Sequence, residues 1–218
     1  MLKQRPKPKN SSRIERRQQR TRTALMEAAR RITAEKGVDG LTIRDLSDEV
    51  DIAMGSFYTY FETKDELLTE VVREISLQTA DLIDQVNDGT NEPLRIIATA
   101  IHTLDSIICA DPIVGWFVVR MSDRSGDLTS GMNERFIRDI TLGCENGDFS
   151  IPNIPIAAAS FVAAVQTFFK GRLTGKIKDK EVPDFIHLML RLFGANDEAA
   201  RNMANVICQT RSEKGEDI

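Results

Sequence analysis

Apolar residues recur along this chain every three or four positions, and no segment alternates persuasively with period two, so the pattern predicts an all-α protein. A first helix is expected from Arg16 to Lys36, with Ala24, Leu25, Ala28, Ala29 and Ile32 on one face and Gly37 as its stop. Shorter elements follow between Leu41 and Leu68. Thr42 and Asp45 have capping-box spacing, which starts a helix that turns Ile43, Leu46 and Val50 inward. Asp51-Ile52-Ala53 then interrupts the pattern. Met54 to Phe61 fits two further turns, with Phe57 and Phe61 inward and Ser56, Tyr58, Thr59 and Tyr60 spread over other faces. A second box, Thr63 and Glu66, opens a helix from Asp65 that carries Val71, Val72, Ile75 and Leu82 to about Val86.

The rest of the chain reads as more helices. Asn87 to Asn91 breaks the previous one, and Pro93 starts another with Ile96, Ile97, Ala100, Ile101, Leu104 and Ile108. Asp111-Pro112 is a restart, with Asp as cap and Pro in the first turn, before Trp116, Phe117, Val119 and Met121. A loop is expected at Asp123 to Gly126, then helices over about Thr129 to Glu145, Ile154 to Leu173, Glu181 to Phe193 and Asp197 to Gln209. Ile154 to Leu173 is apolar on more than one face, through Ala157, Phe161, Ala164, Val165, Phe168 and Phe169, and so requires burial on more than one side. Glu181 to Phe193 offers a second apolar stripe. The longest strongly apolar run, Ile154 to Val165, is too short to span a bilayer.

Two short helices joined by a tight turn, the second small and rich in hydroxyl groups, suit the major groove of DNA. Charge points the same way. The whole chain carries a net −4, but residues 1 to 64 hold 14 Lys+Arg against 9 Asp+Glu, a net +5, which leaves −9 for the remainder. A basic head on an acidic body directs one end at phosphates. Residues 1 to 12 interleave Lys3, Arg5, Lys7 and Lys9 with Pro6 and Pro8 and lack the apolar stretch of a signal or anchor. Such a segment is either an arm that settles along DNA or a passive tail. Cys109, Cys144 and Cys208 are far apart, and with only His102 and His187 beside them no zinc-site spacing exists; buried thiols in a reducing cytosol are the simplest reading. Glycine-rich phosphate loops, metal motifs and nucleophile elbows are absent from the sequence, so neither a cofactor nor an enzymatic reaction is expected.

The residues Tyr58, Phe61, Lys64 and Leu67-Leu68 form a Tyr-x-x-Phe-x-x-Lys-x-x-Leu-Leu pattern, with Ala28-Ala29, Ile32, Gly37 and Thr42-Ile43 upstream. Over roughly residues 18 to 70 the chain resembles the TetR family of bacterial transcriptional regulators. Two positions depart from it. The family usually has Gly-Val-Ser where this chain has Asp51-Ile52-Ala53; Asp tolerates a left-handed turn, but Ala53 lacks a capping oxygen.

The resemblance implies a basic arm over 1–15, a helix-turn-helix DNA-binding domain over 16–64, a helical effector-binding and dimerisation domain over 65–210, and a tail over 211–218. It implies a cytoplasmic homodimer whose two C-terminal apolar helices meet their two-fold mates, acting as a repressor that a small molecule releases from its operator. It also implies that Arg44, Gly55, Ser56 and Tyr58 approach base edges while Thr42, Tyr60 and Lys64 contact phosphates; Met54 and Thr59 share that surface. Effector-lining candidates are His102, Asp105, Trp116, Phe117, Met121, Phe136 and Gln166, each of which any helical core could equally hold. A sequence-tolerant DNA binder without a ligand switch is the alternative, and a helical enzyme the more distant one.

Overall fold

The computed structural model describes residues 13–87, 89–122 and 130–212, all helix, turn or loop. The helices are α1 (Arg13–Lys36), α2 (Ile43–Val50), α3 (Met54–Phe57), α4 (Lys64–Asn87), α5 (Pro93–Ala110), α6 (Pro112–Ser122), α7 (Ser130–Glu145), α8 (Ile154–Leu173), α9 (Val182–Leu192) and α10 (Asp197–Ser212), with one 3-10 turn at Asp179–Glu181. The all-α expectation holds. Helix starts fall within a few residues of their sequence signals because the caps are made. Asp111 Oδ1 accepts from the backbone of Ile113 at 3.0 Å and Val114 at 3.2 Å, which restarts the chain at Pro112. The loop expected at Asp123 to Gly126, and Asp88 in the break before Pro93, lie outside the described residues.

Two apolar clusters organise the chain. The first gathers Leu25, Ala28, Ala29 and Ile32 of α1, Leu46 of α2, Phe57, Phe61, and Leu67, Leu68, Val71 and Ile75 of α4. The second, in the body, joins Ile97, Ile101 and Ile108 of α5, Ile140 of α7, Val165, Phe168 and Phe169 of α8, Ile186, Met189 and Leu190 of α9, and Ala200 and Ala204 of α10. The first cluster crosses residue 64 without a gap, so no break in packing falls at the boundary expected there.

Helix α6 belongs to both. Val114, Phe117, Val118 and Met121 recur at helical spacing and pack into the head cluster, Phe117 fully buried, while Val119 packs against the body cluster. Gly115 lets α6 approach closely: an added Cβ would sit 2.7 Å from Ile108 Cγ2 and 2.9 Å from Leu173 Cδ2. The body is further tied by Arg172 of α8. Its Nε and Nη2 donate to the two oxygens of Asp105 at 2.7 and 3.2 Å, and Nη2 also donates to Asp179 at 2.6 Å. Burial opposes the Arg172 charge, but the bonds to Asp105 and Asp179 outweigh it and push its pKa upward.

Helices α5 and α8 are both long and apolar enough to cross a membrane by composition, which the shorter run counted in the sequence underestimates for α8. Here they pack within the body cluster. The thiols also need correction. Cys109 is exposed, and Cys144 and Cys208 are half-buried; none of the three forms a disulfide. Burial still holds the Cys208 thiol up to about 11 and raises Cys109, which disfavours the reactive thiolate.

The capping box at the start of α2 yields a pH-dependent prediction. Thr42 Oγ1 donates to Asp45 Oδ2 at 2.5 Å and accepts from the Asp45 backbone at 3.0 Å, and Lys36 Nζ lies 2.9 Å from Asp45 Oδ1. The Thr42 hydroxyl first, then Lys36, lower the Asp45 pKa from 3.8 to about 2. A depressed carboxylate stabilises the fold above its unfolded pKa and loses that contribution as pH falls through the folded one. The melting-temperature gap between wild type and Asp45→Asn should therefore be constant above about pH 5 and close progressively as pH falls through 4 and 2. A gap independent of pH across that window would show that the carboxylate charge is not what stabilises the cap.

Candidate nucleic-acid interface

The reading surface is built on a turn. Asp51 closes α2 in the left-handed conformation, φ 55 and ψ 53, the one non-glycine residue with positive φ among those described. The Ile52 amide donates to Ser47 O at 3.0 Å, satisfying a carbonyl at the end of α2. The chain then enters α3 through Ala53, which provides no side-chain cap. Both consequences anticipated for Asp51-Ile52-Ala53 are thus present. The expected two-turn helix from Met54 to Phe61 is shorter: α3 ends at Phe57, and residues 58 to 60 continue as turns.

Packing, more than hydrogen bonding, holds this element. Phe57 and Phe61 are buried with ring centroids 6.0 Å apart, and Tyr58 sets its edge against Phe57 at 5.5 Å. Anchoring two aromatics inward turns the remaining side chains out. Met54 is 57% exposed and Tyr58 58%. Thr42, Arg44, Gly55 and Thr59 are exposed as well, and Ser56 and Tyr60 are half-buried. A Cβ placed on Gly55 meets nothing within 4 Å, so this stretch of backbone is open to close approach. Arg44 extends freely, with Asp48 one turn on at 3.9 Å.

Lys64 is engaged within the head. Its ammonium donates to Leu41 O at 2.9 Å and Val38 O at 3.3 Å, pinning the α1–α2 loop to the start of α4. The second box also differs in detail from its sequence form. Thr63 Oγ1 accepts from Glu66 N at 3.0 Å, but the Glu66 carboxylate accepts from Glu62 N at 2.5 Å.

The head's positive charge is distributed unevenly. Arg22 pairs with Glu70 at 3.5 Å and lies over the Phe61 ring; Arg30 pairs with Glu74, Arg31 with Glu49, and Lys36 with Asp45. Those cations brace α1 against α2 and α4. Besides Arg44, exposed cations lie at the start of α1, where Arg13, Arg16, Arg17 and Arg20 share one face. Sequence reasoning counted them only in a total. Their 3-4-7 spacing on a helix was the available signal.

The seven effector-lining candidates are spread over several helices and both apolar clusters. Phe117 and Met121 belong to the head cluster, and Asp105 is held by Arg172. Phe136 stacks on Phe161 at 4.6 Å within the body. His102 and Gln166 are half-buried on α5 and α8, and Trp116 is half-buried on α6. Among the described residues, side-chain oxygens that are buried without hydrogen-bond partners include Thr33 Oγ1 and Ser47 Oγ in the head, Asn87 Oδ1 on α4 and Thr103 Oγ1 on α5, none of them a site candidate in the sequence. Thr and Asn carry no apolar signal, so periodicity could not place them inside.

Comparison with known proteins agrees with this geometry. Residues 25–71 match the model of the bacterial regulatory proteins of the tetR family, and residues 92–206 match that of the tetracyclin repressor-like C-terminal domain. An uncharacterized HTH-type transcriptional regulator of Haemophilus influenzae is 33% identical over 91 residues, 41% of this chain and 44% of that protein. The chain thus matches less than half of that relative's length. Among solved structures, RolR in complex with resorcinol is similar with a TM-score of 0.67 and 26% identity, over 87% of this chain and 95% of that one. A putative tetR family regulator from Shewanella sp. PV-4 shares the fold at 13% identity, with a TM-score of 0.69 over 80% and 96% of the two chains. With one matched model on the exposed reading head and the other across more than half of the chain, this protein belongs to the TetR family of DNA-binding transcriptional regulators and is not an enzyme.

Proposed function

We propose that the protein is a cytoplasmic, homodimeric repressor that a small molecule releases from its operator. The observation that carries the DNA-reading half is the outward display of Arg44, Met54, Gly55, Tyr58 and Thr59 around an inward Phe57–Phe61 anchor. Residues 16–64 act as the reading unit and 65–210 as the effector and dimerisation unit. Arg44, with a fork that engages two acceptors, reads a guanine; Gly55, Ser56 and Tyr58 approach base edges, and Met54 meets a thymine methyl. Thr42, Thr59, Tyr60 and Lys64 face phosphates, joined by the exposed arginines of α1.

Dimerisation is supported by apolar side chains on the outside of α8 and α9. Ile156 is 65% exposed, Leu188 58%, and Val162 and Leu192 about 40%. A patch of this kind marks an interaction surface. It is distinct from Phe168 and Met189, which are buried within the protomer. The two-fold partner would set two reading heads on two half-sites. For the effector, His102, Phe136 and Gln166 with Trp116, and the orphaned oxygens of Asn87 and Thr103, supply an apolar, aromatic and hydrogen-bonding lining. RolR is crystallised with resorcinol, which makes small phenols the first class to test.

Three outcomes are expected. Leu188→Glu and Leu192→Glu should weaken self-association more than tenfold, about 1.4 kcal/mol, in sedimentation equilibrium, with helix content unchanged. A wild-type monomer at micromolar concentration would end the dimer reading. On DNA, Arg44→Ala should cost about 1–3 kcal/mol on a duplex selected from a random pool and little on unselected duplex. Lys64→Ala should weaken both alike and lower the salt slope by about one unit. It should also lower the melting temperature, since two carbonyls lose their donor. Equal losses on both duplexes for Arg44→Ala would assign it to backbone, and a wild type without preference would favour the sequence-tolerant alternative. Finally, resorcinol should quench or shift the emission of Trp116 and weaken binding to the selected duplex in the same concentration range. Saturable binding that leaves DNA affinity unchanged would remove phenols as effectors.

A further inference from the structure

The last turn of α6 brings a cation of the body against the reading head. Arg120 follows Trp116 by one helical turn, and its guanidinium carbon lies 5.5 Å from the Trp116 ring centre. Its Nη1 sits 3.2 Å from where a Cβ on Gly37 would stand. Gly37 has φ +79 and closes α1, its amide donating to Thr33 O at 2.9 Å. A guanidinium there faces the negative end of the α1 dipole. Glycine suits the place: a side chain at position 37 would be strained by the positive φ, and its Cβ would make Nη1 give by a few tenths of an ångström.

The same short loop is held from its other side. Lys64 of α4 donates to Val38 O and Leu41 O, the residues between Gly37 and the Thr42 cap of α2. The loop that leads into the reading helices is therefore bracketed by two cations, one from α4 and one from α6. Lys64 belongs to the helix that follows the reading element. Arg120 belongs to the helix shared with the body cluster, where Val119 packs inward and Gly115 abuts Ile108 and Leu173.

From this arrangement we infer that Arg120 is a positioning residue for DNA reading: stacked on Trp116, it presses the body's α6 against the Gly37 end of α1 and thereby sets the angle at which α2 and α3 meet the groove. It touches no base or phosphate in this role. Its effect must appear where angle matters, on sequence-selective contacts, and not where loose phosphate contacts suffice. Because Trp116 is the only tryptophan, the joint also carries its own optical reporter. The inference rests on the head's DNA-reading assignment and is independent of any effector.

The test uses the full-length chain and two duplexes, one selected from a random pool by the wild type and one unselected. Arg120→Met keeps the length and removes the charge. It should weaken binding to the selected duplex at least fivefold, leave the unselected duplex within twofold, and abolish the change in Trp116 emission that the selected duplex produces in the wild type. Arg120→Lys, which keeps a cation but loses the planar face, should recover part of both signals. Trp116→Leu should reproduce the affinity pattern of Arg120→Met by removing the other half of the stack. Thermal melts accompany each variant, so that a variant which fails to fold is recognised and the judgement passes to the other two. Unchanged affinity for the selected duplex in the folded variants would overturn the inference. So would equal losses on both duplexes, or a wild-type emission change that persists in Arg120→Met. If the wild type itself prefers no duplex, sequence reading falls and this role falls with it.

Discussion

The packing of one helix into two apolar clusters is the constraint on which the rest of the molecule depends. Helix α6 places Phe117 and Met121 beneath the head and Val119 against the body, with Gly115 permitting the close crossing over α5 and α8. Burying a phenylalanine contributes roughly 1.5–3 kcal/mol, so neither cluster can release α6 cheaply. Packed interfaces tend to hold discrete arrangements rather than deform continuously. Helix α6 is therefore the packed connection between α5 and α8 on one side and α1 on the other.

The ion pairs of the head complement this arrangement. Arg22 and Arg30 reach across to Glu70 and Glu74, and Arg31 to Glu49, so α1 is braced to both α4 and α2. Each pair is partly exposed, and its individual contribution is modest. Their geometric effect is larger: they fix the rotation of α1, the helix that α6 presses upon. In the body the corresponding task falls to Arg172, whose buried bidentate bond to Asp105 registers α8 against α5. Removing either partner would strand a charge out of water, which explains why the pair acts as a fixed point.

Much of this was legible in the residue order, and the reasons are local. Thr42 with Asp45, Asp111 with Pro112, and the Phe57–Phe61 spacing encode their structures within a few residues, and each formed as expected. The length of α3 was overestimated because Phe61 turns inward from a turn rather than from a continued helix. The site inside the body was the least legible part. Trp116, Phe117 and Met121 lie within six residues of one another, yet Phe117 and Met121 pack with the head while Asp105, expected beside them, is engaged by Arg172, 67 positions away along the chain. Apolar periodicity reports that a side chain is buried. It does not report in which cluster, because that is decided by helix crossings remote in sequence.

A short helix without a cap has thermodynamic consequences beyond its shape. Ala53 leaves the first amides of α3 without a side-chain acceptor, and four residues are too few for a helix to hold itself. Order in this element therefore comes chiefly from the buried Phe57 and Phe61. Docking on DNA would offer those amides acceptors and confine the element further. The entropy of that confinement is charged to the binding step, so recognition will be driven by enthalpy and will weaken on warming faster than it would from a rigid, capped helix.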